Sequence, residues 1–223
     1  HYVGVRVTPL KVRYPQGGEK QLIVAVTERQ VPPPPGLPIH VGAVVCNVST
    51  AVAVYEAVQK NKPLIERVVT VTGKHVASPR NLLTRMGTPI SKLLEKAGGL
   101  PDGDVKVING GPMMGRAMVN LDSPVTKGCS GITVLDGAEA RRGVEGPCIK
   151  CAKCVAACPM GLEPVVIAQD FANKDYAALK ARCVDLCVAC GSCTYACPAK
   201  RPVSQTMGLA KGWYMAELRK GGK

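Results

Sequence analysis

Cys148-Ile149-Lys150-Cys151-Ala152-Lys153-Cys154-Val155-Ala156-Ala157-Cys158-Pro159 decides the reading of this sequence, because it returns as Cys187-Val188-Ala189-Cys190-Gly191-Ser192-Cys193-Thr194-Tyr195-Ala196-Cys197-Pro198. Both copies read C-x2-C-x2-C-x3-C-P. Three thiolates from one short loop suit three corners of an iron–sulfur cubane. The fourth cysteine lies on the next helical turn and points elsewhere, and in two-cluster proteins with this run it ligates the partner cluster. The spacing therefore assigns Cys148, Cys151, Cys154 and Cys197 to one [4Fe–4S] cluster, and Cys187, Cys190, Cys193 and Cys158 to another. Disulfides would need an oxidising compartment, and no charged segment leading into an apolar run and a small-residue cleavage site is visible. Zinc prefers two separated C-x2-C pairs, so four cysteines packed this tightly, twice, exceed what a tetrahedral ion uses.

Working outward, the flanks of these loops carry helical spacing. Leu162, Val165, Val166 and Gln169 share a face, Tyr176–Cys183 reads as a second helix and Val203–Arg219 as a third. The cysteine loops thus belong to a helical module. Cys183 reads as a core residue in preference to a spare thiol or an alternative ligand, and Cys46 and Cys129 as buried free thiols. His1, His40 and His75 stand apart and are not expected to be ligands. Further upstream, Arg67–Thr72, Asn81–Met86 and Val105–Ile108 read as strands around a short helix at Ile90–Ala97, a small mixed sheet punctuated by glycines. Gly110-Gly111-Pro112 reads as a tight turn closing that sheet, and Met113 and Met114 as core filler. In residues 1–62 the period-two run Val3, Val5, Val7 and the apolar Val41–Cys46 read as strands. Between them a helix runs from the Tyr14–Lys20 turn to Glu28, and a second follows from Asn47 through Lys60, so an α/β layer is expected.

The chain has 223 residues, 46% hydrophobic and 20% charged, with a mean hydropathy of +0.09. That composition excludes wholesale disorder and a polytopic membrane protein. The longest stretch without a charged residue, Gln30–Tyr55, is broken by Pro32 to Pro35 and Pro38 and is too short in apolar run to span a bilayer. The net charge of +13 fits an acidic partner, such as a small acidic electron carrier, an anionic membrane surface or nucleic acid, and does not choose among them. Basic residues are not interleaved with aromatics, and Phe171 and Trp213 are the only residues of their types, so no nucleic-acid stacking platform is expected.

Four segments together resemble the RnfC family, the electron-input subunit of the Rnf ion-translocating ferredoxin:NAD oxidoreductase complex. They are Tyr14-Pro15-Gln16-Gly17-Gly18-Glu19-Lys20-Gln21-Leu22, Gly110-Gly111-Pro112-Met113-Met114-Gly115, Pro124-Val125-Thr126-Lys127-Gly128, and Pro147-Cys148 through Pro159-Met160. The resemblance runs from Val12 to about Lys200 and implies an α+β chain. Residues 1–62 would be the C-terminal part of an α/β flavin- and NADH-binding domain akin to the flavoprotein subunit of complex I. Residues 63–122 would be a β-grasp domain of the soluble-ligand-binding (SLBB) type, 123–139 a linker, and 140–223 a helical ferredoxin-like domain with two [4Fe–4S] clusters. It implies that Gly17, Gly18 and Glu19 form a turn near FMN and NAD(H), and that Asn47 faces the flavin. Read alone, Gly17-Gly18 is a turn into a helix. Cys46 departs from the Gln frequent in the family. The loops that cradle the FMN phosphate and the nucleotide lie upstream of the Tyr14 motif in the family and have no counterpart here, so half a flavin site is expected.

The function that the resemblance implies is electron transfer between NADH/FMN and the two clusters, in either direction, coupled to ion translocation by a membrane complex. The partners would be the other Rnf subunits and an acidic ferredoxin, with no nucleic acid and no direct membrane span. The chain would be peripheral, on the cytoplasmic side of the inner membrane. A cobalamin reductase of the propanediol-utilisation type shares the flavin and β-grasp architecture and is the rival within redox chemistry. A non-redox binding protein with structural clusters is the rival outside it.

Overall fold

The computed structural model describes residues 4–141 and 143–221. Val3 and His1, named above, lie outside the described residues. The chain separates into two compact units, one made of Asn47–Ile149 with Pro198–Arg201, the other of the described residues up to Cys46 with Lys150–Cys197 and those from Pro202 onward.

In the second unit, the helix α1 (Glu19–Thr27) starts at Gly18, whose N–H donates to Pro15 O at 2.8 Å. The two strands expected here do not form. Val5 and Val7 are 69% and 85% exposed, Val44 is 78% exposed, and none belongs to a strand. A β-branched run becomes a strand only when a neighbour accepts its ladder hydrogen bonds, and none of the described residues offers one.

In the unit that begins at Asn47, α2 (Val48–Lys60) is capped by that asparagine, whose Oδ1 accepts the Ser49 N–H at 2.9 Å. A five-stranded sheet follows, built from β1 (Glu66–Gly73), β2 (Arg80–Arg85), β3 (Val105–Asn109), β4 (Arg116–Ala117) and β5 (Gly131–Asp136) in the order β2-β1-β5-β3-β4. The helix α3 (Ile90–Lys96) lies between β2 and β3 in sequence. Strands β1 and β5 are parallel, with Val71 opposite Ile132, and the other pairs are antiparallel. Period-two alternation turns Val69 and Val71 inward, where they join Ile132, Val134, Ile90 and Leu93 in one core. Each such side chain contributes about 1.5–3 kcal/mol by leaving water.

The sequence places a linker at 123–139, yet β5 falls inside it and sits at the centre of the sheet. Its six residues, between a Gly/Ser context and a glycine, carry a weak local signal; the pairing with β1 and β3 makes them a strand. The Gly110 turn does close the sheet. Gly110 has φ +112°, and a Cβ on Gly115 would lie 2.3 Å from Ile108 Cγ2, so only glycine allows that close approach. Met114 is 59% exposed rather than core filler.

After the sheet come the short α4 (Gly137–Ala140) and, in the other unit, α5 (Lys153–Ala156), α6 (Pro164–Ala172), α7 (Tyr176–Ala181), α8 (Ser192–Tyr195) and α9 (Val203–Arg219). Their core holds Leu162, Ile167, Leu179, Val203, Met207 and Tyr214. Along α9 the spacing Val203, Met207, Ala210, Tyr214 is one helical stripe, all buried. On α6 the buried residues are Pro164 and Ile167, while Gln169 is exposed, which rotates that helix away from the face read in the sequence. Cys183 and Cys46 are exposed, not buried; Cys129 is buried.

Candidate functional site: two cysteine loops and the turn at Tyr14

The two cysteine runs fold alike. Lys150 and Ala189 have φ of 55° and 53°, Ala152 and Gly191 have 57° and 84°, and each loop runs directly into a one-turn helix, α5 or α8. The Val155 N–H donates to Ala152 O at 2.9 Å, as the Thr194 N–H does to Gly191 O at 3.0 Å. Left-handed residues between the cysteines curl the chain so that successive side chains turn to one centre, at the strain such conformations cost outside glycine.

Cys158 of the first run comes to one pocket with Cys187, Cys190 and Cys193 of the second, the set expected to hold one cluster. Met160, Leu162, Pro164 and Met207 complete its apolar wall. The Leu162 N–H donates to Cys158 Sγ at 3.4 Å, and Ser192 Oγ lies 3.4 Å from Cys190 Sγ. Burial pushes the Cys193 thiol up to about 11 and that of Cys187 upward as well, so neither ionises near neutral pH without a metal to displace its proton. Cys148 and Cys151 are exposed, and Cys154 and Cys197 are half-buried. Among the described residues no three His, Cys, Asp or Glu side chains converge on a single ion. A cubane asks for a wider shell, because each thiolate binds a different iron at a different corner. Four thiols around an apolar pocket fit that group as a donor set.

Two side chains from the segment before and within α1 reach this pocket's loops. The Tyr14 hydroxyl donates to the Cys190 carbonyl, and Gln21 Nε2 lies 3.0 Å from Met160 Sδ. From α9, Lys211 Nζ donates to the Cys187 carbonyl at 2.7 Å. Sequence reasoning missed Lys211 and gave Tyr14, Gln21 and Ser192 only as members of motifs, since each acts on a backbone or sulfur atom distant in the chain or unremarkable in pattern.

Gly17 and Gly18 are exposed at the start of α1 and Glu19 is its first residue, beside a groove lined by Arg13, Tyr14, Gln16 and Lys20. Asn47, in the other unit, spends its side chain on capping α2. Gly17, Gly18 and Glu19 offer backbone N–H groups and a carboxylate, groups of the kind that hydrogen-bond a flavin or nicotinamide ring. His40 and His75 are engaged with Leu37 N–H and with Asp136.

Three family models match in succession. Residues 3–56 match the Nuo51 FMN-binding domain, 68–117 the SLBB domain, and 147–201 the 4Fe-4S dicluster domain. The RnfC protein of the proton-translocating ferredoxin:NAD(+) oxidoreductase complex of Clostridium ljungdahlii is 47% identical over 73% of this chain and 35% of its own length. Its counterpart in the Na(+)-translocating complex of Acetobacterium woodii is 42% identical over 74% of the chain and 37% of itself. The counterpart in the ion-translocating oxidoreductase complex of Rhodobacter capsulatus is 41% identical over 72% and 30%. The chain spans about a third of the length of these curated relatives.

Proposed function

From the premise that the chain belongs to the RnfC family of ion-translocating oxidoreductase complexes, we propose that it carries electrons between a flavin module and the other subunits of a ferredoxin:NAD oxidoreductase complex. The observation that carries this reading is the pocket that gathers Cys158 with Cys187, Cys190 and Cys193. Those four thiolates hold one [4Fe–4S] cluster, and Cys148, Cys151, Cys154 and Cys197 hold the other. When bound, each cluster exchanges one electron at a potential set by its surroundings.

The chain's own residues shape those surroundings. Met160, Leu162, Pro164 and Met207 keep water from one cysteine set, and the Leu162 N–H and Ser192 hydroxyl support its sulfurs. Gly17, Gly18 and Glu19 face the ring side of FMN and NAD(H), and Asn47 faces the flavin. Tyr14 and Gln21 fasten the α1 segment to the cysteine loops. The +13 charge suits an acidic ferredoxin, and the lack of basic residues interleaved with aromatics argues against nucleic acid. Among the described residues no helix is long and apolar enough to cross a membrane. The chain is a peripheral part of the complex on the cytoplasmic face of the inner membrane, reached through its partners.

The test is iron and sulfide quantification on anaerobically purified chain, with electron paramagnetic resonance after dithionite reduction. About eight irons and two interacting reduced signals are expected, four irons per cluster. Colourless material, or zinc on these thiols, overturns the reading.

A further inference from the structure

We propose that Lys211 is a positioning residue that raises the reduction potential of the cluster held by Cys158, Cys187, Cys190 and Cys193. The inference rests on the functional reading above and goes beyond it. Lys211 lies one helical turn after Met207, which lines the pocket, and its ammonium donates to the Cys187 carbonyl at 2.7 Å. It is half-buried, and among the described residues it makes no ion pair. A cation withdrawn from water without a carboxylate is costly unless another negative group lies beside it. A cubane with four thiolates is that group: it is anionic in both common states, and taking up one electron, with no proton, makes it more so. A fixed positive charge therefore favours the reduced form, and more strongly in a water-poor pocket than in water.

The repeat supplies an internal control. The helix that follows the first cysteine run, α6, contains Val165, Val166, Ile167, Ala168, Gln169, Asp170, Phe171 and Ala172 after its proline and carries no cation at all. Lys150 and Lys153 of the first loop are exposed, where water and salt screen them. The sheltered lysine thus belongs to one cysteine set alone.

The experiment is a dithionite redox titration of the anaerobically prepared two-cluster chain, followed by electron paramagnetic resonance, on wild type, Lys211→Gln, Lys211→Met, Lys211→Arg and Ser192→Ala. Gln keeps a donor for the Cys187 carbonyl but drops the charge. In Lys211→Gln and Lys211→Met one signal moves to more negative potential by at least a tenfold change in its oxidised-to-reduced ratio, about 59 mV for a one-electron couple, while the other stays put. Lys211→Arg restores it. Ser192→Ala, which removes the hydroxyl beside Cys190 Sγ, moves the same signal. Unmoved potentials, equal movement of both, movement of the signal that Ser192→Ala leaves alone, or failure of Arg to restore the value overturns the inference with the functional reading intact. So does loss of iron from that set in both neutral variants while Arg loads normally, because the lysine would then be a folding requirement. A wild type without reducible clusters overturns the functional reading first.

Discussion

Cys190 and Cys129 illustrate how one residue type takes two physical roles in one chain. Cys190 is buried at the edge of the pocket with three other cysteines, and Cys190→Ser is expected to halve the iron content, from about eight to about four per chain, and to remove one of two reduced signals. Cys129 is buried in the sheet's core with no partner thiol. Burial pushes its thiol up, against smaller opposing effects from Arg67 and the Gly131 backbone. Its folded-state value lies above the unfolded one, so the stability it lends is full below the unfolded thiol range and is lost as pH rises through the folded value. The urea midpoint of wild type is therefore expected to fall more steeply above about pH 9 than that of Cys129→Ala, the two running parallel at pH 7. The eight motif cysteines are legible from spacing alone. Lys211 and Ser192 are not, because a lysine or serine on a helix looks like any solvated residue until its backbone or sulfur neighbour is known, and Tyr14 meets a carbonyl 176 positions away.

At the scale of elements, strands divide by whether they find neighbours. β1 announces itself by β-branched alternation and is flanked on both edges, whereas the equally β-branched Val5 and Val7 stand in solvent. β5 shows the opposite mismatch, a short segment with weak pattern that becomes the sheet's middle. Ile132→Ala, at a fully buried position of β5, is expected to cost about 2–5 kcal/mol in urea unfolding. Val7→Ala is expected to stay within about 0.5 kcal/mol. Local propensity made β1, α2, α3 and α9 readable. Long-range pairing, invisible to a window of residues, decided β5 and the absence of strands near Val5 and Val44.

For the whole molecule, the two units have cores of different chemistry. The sheet's core is aliphatic with Cys129 alone among cysteines, while the helical core packs against Cys158, Cys187, Cys193 and Cys197. With these cysteines as ligands, as proposed above, thiols in a core tie folding free energy to the metal. Stripping iron with a chelator under oxidising conditions is expected to lower the thermal midpoint of the helical unit and to leave β-sheet circular dichroism unchanged at that temperature. Loss of both signals together would contradict it. The motif and charge were legible at this scale, and the division of the chain into units was not, since Pro198–Arg201 joins the sheet's unit from within the helical sequence.

The unequal shelter of the two cysteine loops bears on how such a chain ages in air. Cys148 and Cys151 are exposed, whereas Cys190 is buried in a pocket lined by Met160 and Met207. Dissolved oxygen meets the outer thiolates first, so brown colour is expected to bleach in two kinetic stages, the first half quickly and the second only as the helical core loosens.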